Sequence, residues 1–396
     1  MTERADPGTD PASDRPARAP MRLLALITDA WGGRGGIAKV NRDVLTVLAE
    51  SPTVDRVTAL PRVVIDLPGP VPAGVEFQTA AAGGAAAFVR ATARAIGRGG
   101  YDGVVCGHRH LGPLAALAAA RAGVPWLLIV HGIEGWGPPH REPAHGTSFH
   151  GRLREASLRW SARRADLVVS VSDLTRRRFS EWMGIPLDRC TVVPNAVDLS
   201  AFGPGPKSPE LLDRYGLRDR TVLLTLARLP NFERYKGVDE ILEVLPSLAE
   251  DVPDVAYLVC GDGDDRPRLE AKASTLGVDD RVVFAGYIDE AEKADHYRLA
   301  DAFVMPGRGE GFGLVYLESL ACGVPVVASS RDASREAVLE GELGEVVDPL
   351  DPASIVAGIK AALRRPRGVP DRLDHFSLDR FAERWQAVVD RVFVSP

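Results

Sequence analysis

Glu310 and Glu318 stand eight positions apart in the segment Gly309-Glu310-Gly311-Phe312-Gly313-Leu314-Val315-Tyr316-Leu317-Glu318. A strand-like run, Ala302–Met305, leads into this segment, and a helix-like stretch, 313–322, leads out of it. Its glycines open the backbone N–H groups of 311–315 to a ligand, at the positively polarised start of a helix. A carboxylate in such a loop can accept hydrogen bonds from sugar hydroxyls. A second one further along can take both hydroxyls of a ribose. Each alone has a bland reading: Glu310 as an acid at a helix start, Glu318 as part of a solvated helix face.

Two cations form a second group. Arg228 follows the apolar run Thr221–Leu226, and Lys236-Gly237 precedes a helix-like stretch at 237–249. An Arg fork and a compact Lys charge converging at a strand end suit a diphosphate, although either alone reads as an ordinary surface cation. Arginines outnumber lysines 42 to 6, which makes each lysine more informative. His131 ends the apolar run Trp126–Val130, a position that turns a side chain toward a ligand cleft rather than the core. Gly32-Gly33-Arg34-Gly35-Gly36 lies between the first strand and its helix, where backbone N–H groups can approach a phosphate or simply turn the chain. The turn loosely fits a dinucleotide fingerprint ending at Ala38. The acid expected about 20 residues later at a strand end is missing, since Asp55 precedes Arg56-Val57. Asp264-Asp265 reads as a surface turn, so no metal-binding pair is expected in the cleft.

The elements that must position these residues alternate along the chain. Arg22–Thr28, Val104–Cys106, Trp126–Val130, Leu167–Val171 and Thr191–Val193 read as buried strands. Helical stretches at 37–49, 85–98, 112–122, 148–164 and 174–183 separate them. After a Pro- and Gly-rich linker, Phe202–Pro209, the alternation restarts with strands at Thr221–Leu226, Ala256–Cys260, Arg281–Phe284, Ala302–Met305 and Val324–Ala328. Helices are expected between them and at 379–393. This predicts an α/β chain of two doubly wound halves with a ligand cleft at the carboxyl ends of their strands.

Composition bounds the rest. Length alone, 396 residues, allows roughly two to three domains. A net charge of 48 − 54 = −6 argues against nucleic acid as a partner. Four widely spaced cysteines form no metal or redox pair. Residues 1–20 read as a disordered tail without a signal-type apolar block, and no run is long enough to span a bilayer, so a cytoplasmic location is expected. Residues 151–182 hold eight arginines against four acids. In a helix over 148–164, Phe149, Leu153, Ala156 and Trp160 share one face. That pattern fits a helix packed on the sheet and, alternatively, peripheral contact with an anionic membrane.

Taken together these residues resemble the family 4 retaining glycosyltransferases of the GT-B fold. The likeness rests on Glu310 to Glu318, Arg228 with Lys236-Gly237, Gly261-Asp262-Gly263, Val283-Phe284-Ala285-Gly286, Ala321-Cys322-Gly323-Val324-Pro325, Val193-Pro194-Asn195-Ala196 and Gly35-Gly36, in the family's order. It implies two Rossmann-like domains: an acceptor domain over 21–200 and a nucleotide-sugar domain over 201–376, with 377–396 crossing back. It implies that Arg228, Lys236, Gly35, Gly36, Leu314 and Val315 hold the donor pyrophosphate. Glu310, Gly311, Phe312 and Gly313 would hold the donor sugar, Glu318 the ribose, and Glu310 and His131 the reacting centre. No metal or other cofactor is expected. The donor is expected to be GDP-mannose rather than UDP-glucose or UDP-N-acetylglucosamine, and the acceptor a glycan, lipid-linked or small-molecule hydroxyl. A nucleotide-sugar epimerase, a non-catalytic partner subunit and an NAD-dependent dehydrogenase are the alternatives. The stretch Leu229–Tyr235 is longer than the family's usual spacing, and Gly135–Thr147 belongs to no motif.

Overall fold

The computed structural model describes residues 19–132, 135–137 and 149–394. The tail expected over 1–20 and the loop Gly135–Thr147 therefore lie largely outside the described residues. Two parallel sheets carry the fold. The first has the order β3-β2-β1-β4-β5-β6-β7, with β1 (Met21–Ile27), β2 (Val54–Pro61), β3 (Val75–Phe77), β4 (Gly103–Cys106), β5 (Trp126–Val130), β6 (Leu167–Ser170) and β7 (Cys190–Val192). The second has the order β10-β9-β8-β11-β12-β13, with β8 (Thr221–Leu226), β9 (Val255–Cys260), β10 (Val282–Gly286), β11 (Ala302–Val304), β12 (Val326–Ser329) and β13 (Glu345–Val347). The central strands are continuous apolar runs because helices cover both faces: β5 and β9 are buried at every position.

Each sheet starts in its middle, so strand order reverses between β1 and β4 and again between β8 and β11. Ligands bind such sheets at the carboxyl ends beside that reversal. The Gly32–Gly36 turn follows β1, Arg228 follows β8, and the Glu310 loop follows β11.

The strand β2 departs from expectation. Asp55 and Arg56 are exposed at its start and Pro61 closes it, which hides five consecutive buried residues from a hydrophobicity pattern. The argument against a dinucleotide site now rests on Arg62, rather than an acid, following this strand. Helix α1 (Gly36–Glu50) covers the first sheet through Val40, Val44, Leu45 and Leu48.

The chain returns to the first half at its end. Phe381, Trp385, Val388 and Val389 of the helix Leu378–Val389 share one core with Leu23, Val40 and Val44. Burying two aromatic side chains there contributes on the order of 2 kcal/mol each. The Ser51 hydroxyl donates to Gln386 Oε1 at 2.7 Å. Where the two connecting segments pass, Val197 N–H donates to the Phe376 carbonyl at 2.9 Å. Among the described residues no helix is long and apolar enough to cross a membrane.

Candidate active site

Sequence-distant turns lean on one another to build the site. Lys236 closes a short 3-10 turn, and Gly237 follows with φ 87°, a conformation that disfavours any side chain. A Cβ at Gly237 would also sit 2.8 Å from the Pro306 carbonyl oxygen. Arg308 N–H donates to the Tyr235 carbonyl at 2.8 Å, locking the loop after β11 against residues 235–237. The result is a Lys236 Nζ to Glu310 Oε2 ion pair of 2.7 Å, with side chains only 19% and 17% exposed. Burial alone would lower the Lys236 pKa. The Glu310 carboxylate, aided by Tyr235 and Glu233, outweighs burial and holds the ammonium above its usual value.

The Glu310 backbone is held as firmly as its side chain. Its N–H donates to Asp332 Oδ2 at 2.9 Å and its carbonyl accepts from Ala333 N at 3.0 Å. Asp332 is fully buried. Burial pushes its carboxyl up to about 6, against the hydrogen bonds from Ser334 and Glu310 that favour the charged form. Gly311 N–H donates to Glu310 Oε1 at 3.1 Å. Leu314 and Val315 then open the helix Leu314–Ala321.

Glu318 is buried, at 1% exposure, so the solvated-face reading is corrected. The Tyr297 hydroxyl donates to Glu318 Oε2 at 2.8 Å, and Lys293 Nζ lies 3.5 Å from the same oxygen. Burial and then Glu318 raise the Tyr297 pKa, so the phenol remains a donor. Asp265 is a second correction. It is 4% exposed and paired with Arg234 and Arg268, where the sequence reads as a surface turn.

Arg228 is three-quarters exposed, and its guanidinium pairs with Glu233, a residue only 8% exposed. The two cations read from the sequence thus face the same turn, each with its own carboxylate.

The first half meets this loop from the other side. A Cβ on Gly311 would lie 2.3 Å from Gly132 Cα and 2.7 Å from the His131 carbonyl oxygen, so only glycine permits this approach. The Ser172 hydroxyl donates to the Gly311 carbonyl at 2.8 Å. Glu336 accepts from Asp173 N and Leu174 N at 2.7 and 2.9 Å, closing the start of the helix Asp173–Met183 with a carboxylate from the other half. A Cβ at Gly36 would lie 3.8 Å from Leu314 Cδ1, and Gly35 precedes it at the start of α1. His131 Nε2 donates to the Gly107 carbonyl at 2.7 Å, and its ring stacks on His108 at 6.5 Å. The structure therefore gathers His131, Gly36, Leu314, Glu310 and Lys236 around one cleft. Phe312 is buried in the second core, against Phe376.

Sequence reasoning missed Glu233, Asp332, Ser172 and Glu336. None belongs to a recognisable spacing, and only tertiary contact reveals them. The basic helix also differs from expectation. Leu153 and Trp160 are exposed at 54% and 37%, and Leu158, Ser161 and Ala162 are the buried positions among residues 151–162.

Comparison with known proteins agrees with this geometry. The profile described as Glycosyltransferase Family 4 matches residues 35–201, and that of Glycosyl transferases group 1 matches residues 214–376. A GDP-mannose-dependent alpha-(1-6)-phosphatidylinositol monomannoside mannosyltransferase of Mycolicibacterium smegmatis is 39% identical over 289 residues, 69% of this chain and 70% of that protein. The chain belongs to glycosyltransferase family 4. This family 4 glycosyltransferase is also 36% identical over 216 residues to a phosphatidyl-myo-inositol mannosyltransferase of Mycobacterium tuberculosis, covering 54% of this chain and 52% of that protein. Among solved structures, Anabaena HepE in complex with UDP superposes with TM-score 0.72 at 20% identity, covering 93% of this chain and all of that one. The lipopolysaccharide glycosyltransferase WaaG superposes with TM-score 0.60 at 19% identity, covering 93% and 95%. At that identity the structural likeness carries the fold, which is GT-B. The second match holds the whole second sheet and the first holds every strand of the first sheet except β1, so Gly311 and His131, which meet where the halves touch, belong to different matches.

Proposed function

We propose that this enzyme transfers mannose from GDP-mannose to a hydroxyl of a glycolipid or related polyol acceptor, retaining the anomeric configuration. The observation that carries the reading is the Lys236–Glu310 ion pair at the turn that leads into the helix Leu314–Ala321, with Arg228 paired to Glu233 three residues before Lys236. That is a diphosphate cradle beside a sugar-binding carboxylate. The names of the two mannosyltransferase relatives support the choice of donor and the glycolipid class of acceptor.

On this reading, Arg228, Lys236 and the N–H groups of Leu314 and Val315 take the diphosphate as negative charge grows on it, with Gly35 and Gly36 closing from the first half. Glu310 and the Gly311–Gly313 backbone orient the mannose, Glu318 the ribose, and His131 the reacting face. These fixed positive charges do the work a metal ion would otherwise do, so the reaction is proposed to be metal-independent. Residues 21–200 present the acceptor and 201–376 the donor. The exposed Leu153 and Trp160, on a helix that also carries Arg152, Arg154 and Arg159, support peripheral contact with an anionic membrane at the cytoplasmic face.

The deciding experiment incubates the enzyme with GDP-mannose, UDP-glucose and UDP-N-acetylglucosamine, in chelator, with and without phosphoinositide vesicles. Release of GDP that depends on acceptor, with an α-linked product by NMR, is expected. Acceptor-independent conversion of the sugar would favour an epimerase. Nucleotide binding without turnover would favour a partner subunit.

A further inference from the structure

Arg228 and Lys236 are each already neutralised. Lys236 lies on Glu310, and Arg228 lies on Glu233. All four charged groups act on the Tyr235 hydroxyl, which burial pushes up to about 12, so they form one cluster whose formal charges cancel. An arriving diphosphate cannot simply add to a positive pocket. It must compete with the carboxylates for both cations. Glu310 has somewhere to go, because the sugar offers it hydroxyl groups. Glu233 has no such alternative.

The burial of the Arg228 pair is inverted. The guanidinium is 75% exposed and the carboxylate is 8% exposed. The Glu233 backbone is pinned, its N–H donating to the Pro230 carbonyl at 2.9 Å and its carbonyl accepting from Lys236 N at 3.2 Å. Its second oxygen, Oε2, is buried and makes no hydrogen bond among the described residues. A buried carboxylate with one unsatisfied oxygen costs stability, so a purely structural ion pair is a poor account of it.

We infer that Glu233 is a built-in counter-ion that occupies Arg228 in the empty site, yields it to the donor diphosphate, and reclaims it as the nucleoside diphosphate leaves. The inference rests on the reading that a nucleoside diphosphate binds at Arg228 and Lys236. Glu233 is then a residue that sets donor affinity and product departure by competing for Arg228. It contributes no contact to the reacting atoms.

The test measures GDP binding by calorimetry to the wild-type enzyme, E233Q, R228Q and the double variant, with guanosine as the phosphate-free control. Removing the competing charge is expected to tighten GDP binding about fivefold in E233Q. No gain is expected for guanosine, nor for GDP when E233Q is added to R228Q. In turnover, KM for the donor and kcat are expected to fall together, because GDP leaves more slowly. Should E233Q fail to fold, E233D keeps the charge but withdraws it by one methylene, and a smaller tightening is expected. Unchanged or weaker GDP binding in E233Q, or in E233D where that variant stands in, overturns the inference alone. Failure of the wild type to bind any of GDP, UDP and ADP overturns the proposed function, and this inference with it.

Discussion

Lys236 Nζ lies 2.7 Å from Glu310 Oε2, across 74 positions of sequence, in a cluster shielded from water on most sides. The pair joins the diphosphate cation to the sugar-binding carboxylate of the proposed mechanism. Removing one partner leaves the other with an uncompensated, partly desolvated charge. Lys236→Met is therefore expected to lower stability by roughly 1–3 kcal/mol and to abolish turnover. Glu310→Gln is expected to abolish transfer while GDP still binds. Thermal unfolding and initial rates check both, and a Glu310→Gln enzyme with wild-type rates would remove Glu310 from the mechanism.

Glu318 is the buried acceptor of the Tyr297 hydroxyl and the neighbour of Lys293. If it also takes the ribose hydroxyls, Glu318→Gln loses charge-assisted hydrogen bonds worth about 1.5–3 kcal/mol, which is a tenfold to hundredfold weaker nucleotide affinity. Calorimetry with GDP measures this directly. Equal affinity would assign Glu318 to the core alone.

Gly311 is a point of tight contact between the halves. An added methyl would meet Gly132 Cα at 2.3 Å. Gly311→Ala is expected to hold the halves apart, cutting turnover more than tenfold while the second half keeps its fold. Small-angle scattering should show a larger radius of gyration. A variant with native rate and native dimensions would contradict the tight approach.

Asp332 makes stability depend on pH. Its carboxyl titrates at about 6 in the folded chain against an ordinary 3.8, because burial disfavours the charge. The folded state therefore holds the proton more tightly than the unfolded state. The associated stability is full below the ordinary value and is lost as pH rises through about 6, by up to about 3 kcal/mol. Asp332→Asn removes this titration. The melting temperature of the wild type relative to the variant should fall between about pH 4 and about pH 6 and level off above about pH 7. A pH-independent difference would show that Asp332 does not titrate in that range.

Much of this was legible in the residues themselves. Continuous apolar runs such as Trp126–Val130 and Ala256–Cys260 read as strands buried on both faces, and their alternation with helices points to a doubly wound chain. The spacing of Glu310 and Glu318 and the isolation of Lys236 among many arginines marked the ligand loop, because local chemistry at strand ends is written in local sequence. What tertiary structure alone decided is pairing. Nothing near Glu233 in sequence says that it faces Arg228 with its second oxygen buried. Nothing near Asp332 says that it anchors the Glu310 backbone, and nothing near Glu336 says that it closes a helix of the other half. The strand at Val54–Pro61 escaped because its polar start breaks the pattern that its buried end obeys. Such roles depend on which turns meet when two sheets pack, and charge and burial acquire meaning only once that contact exists.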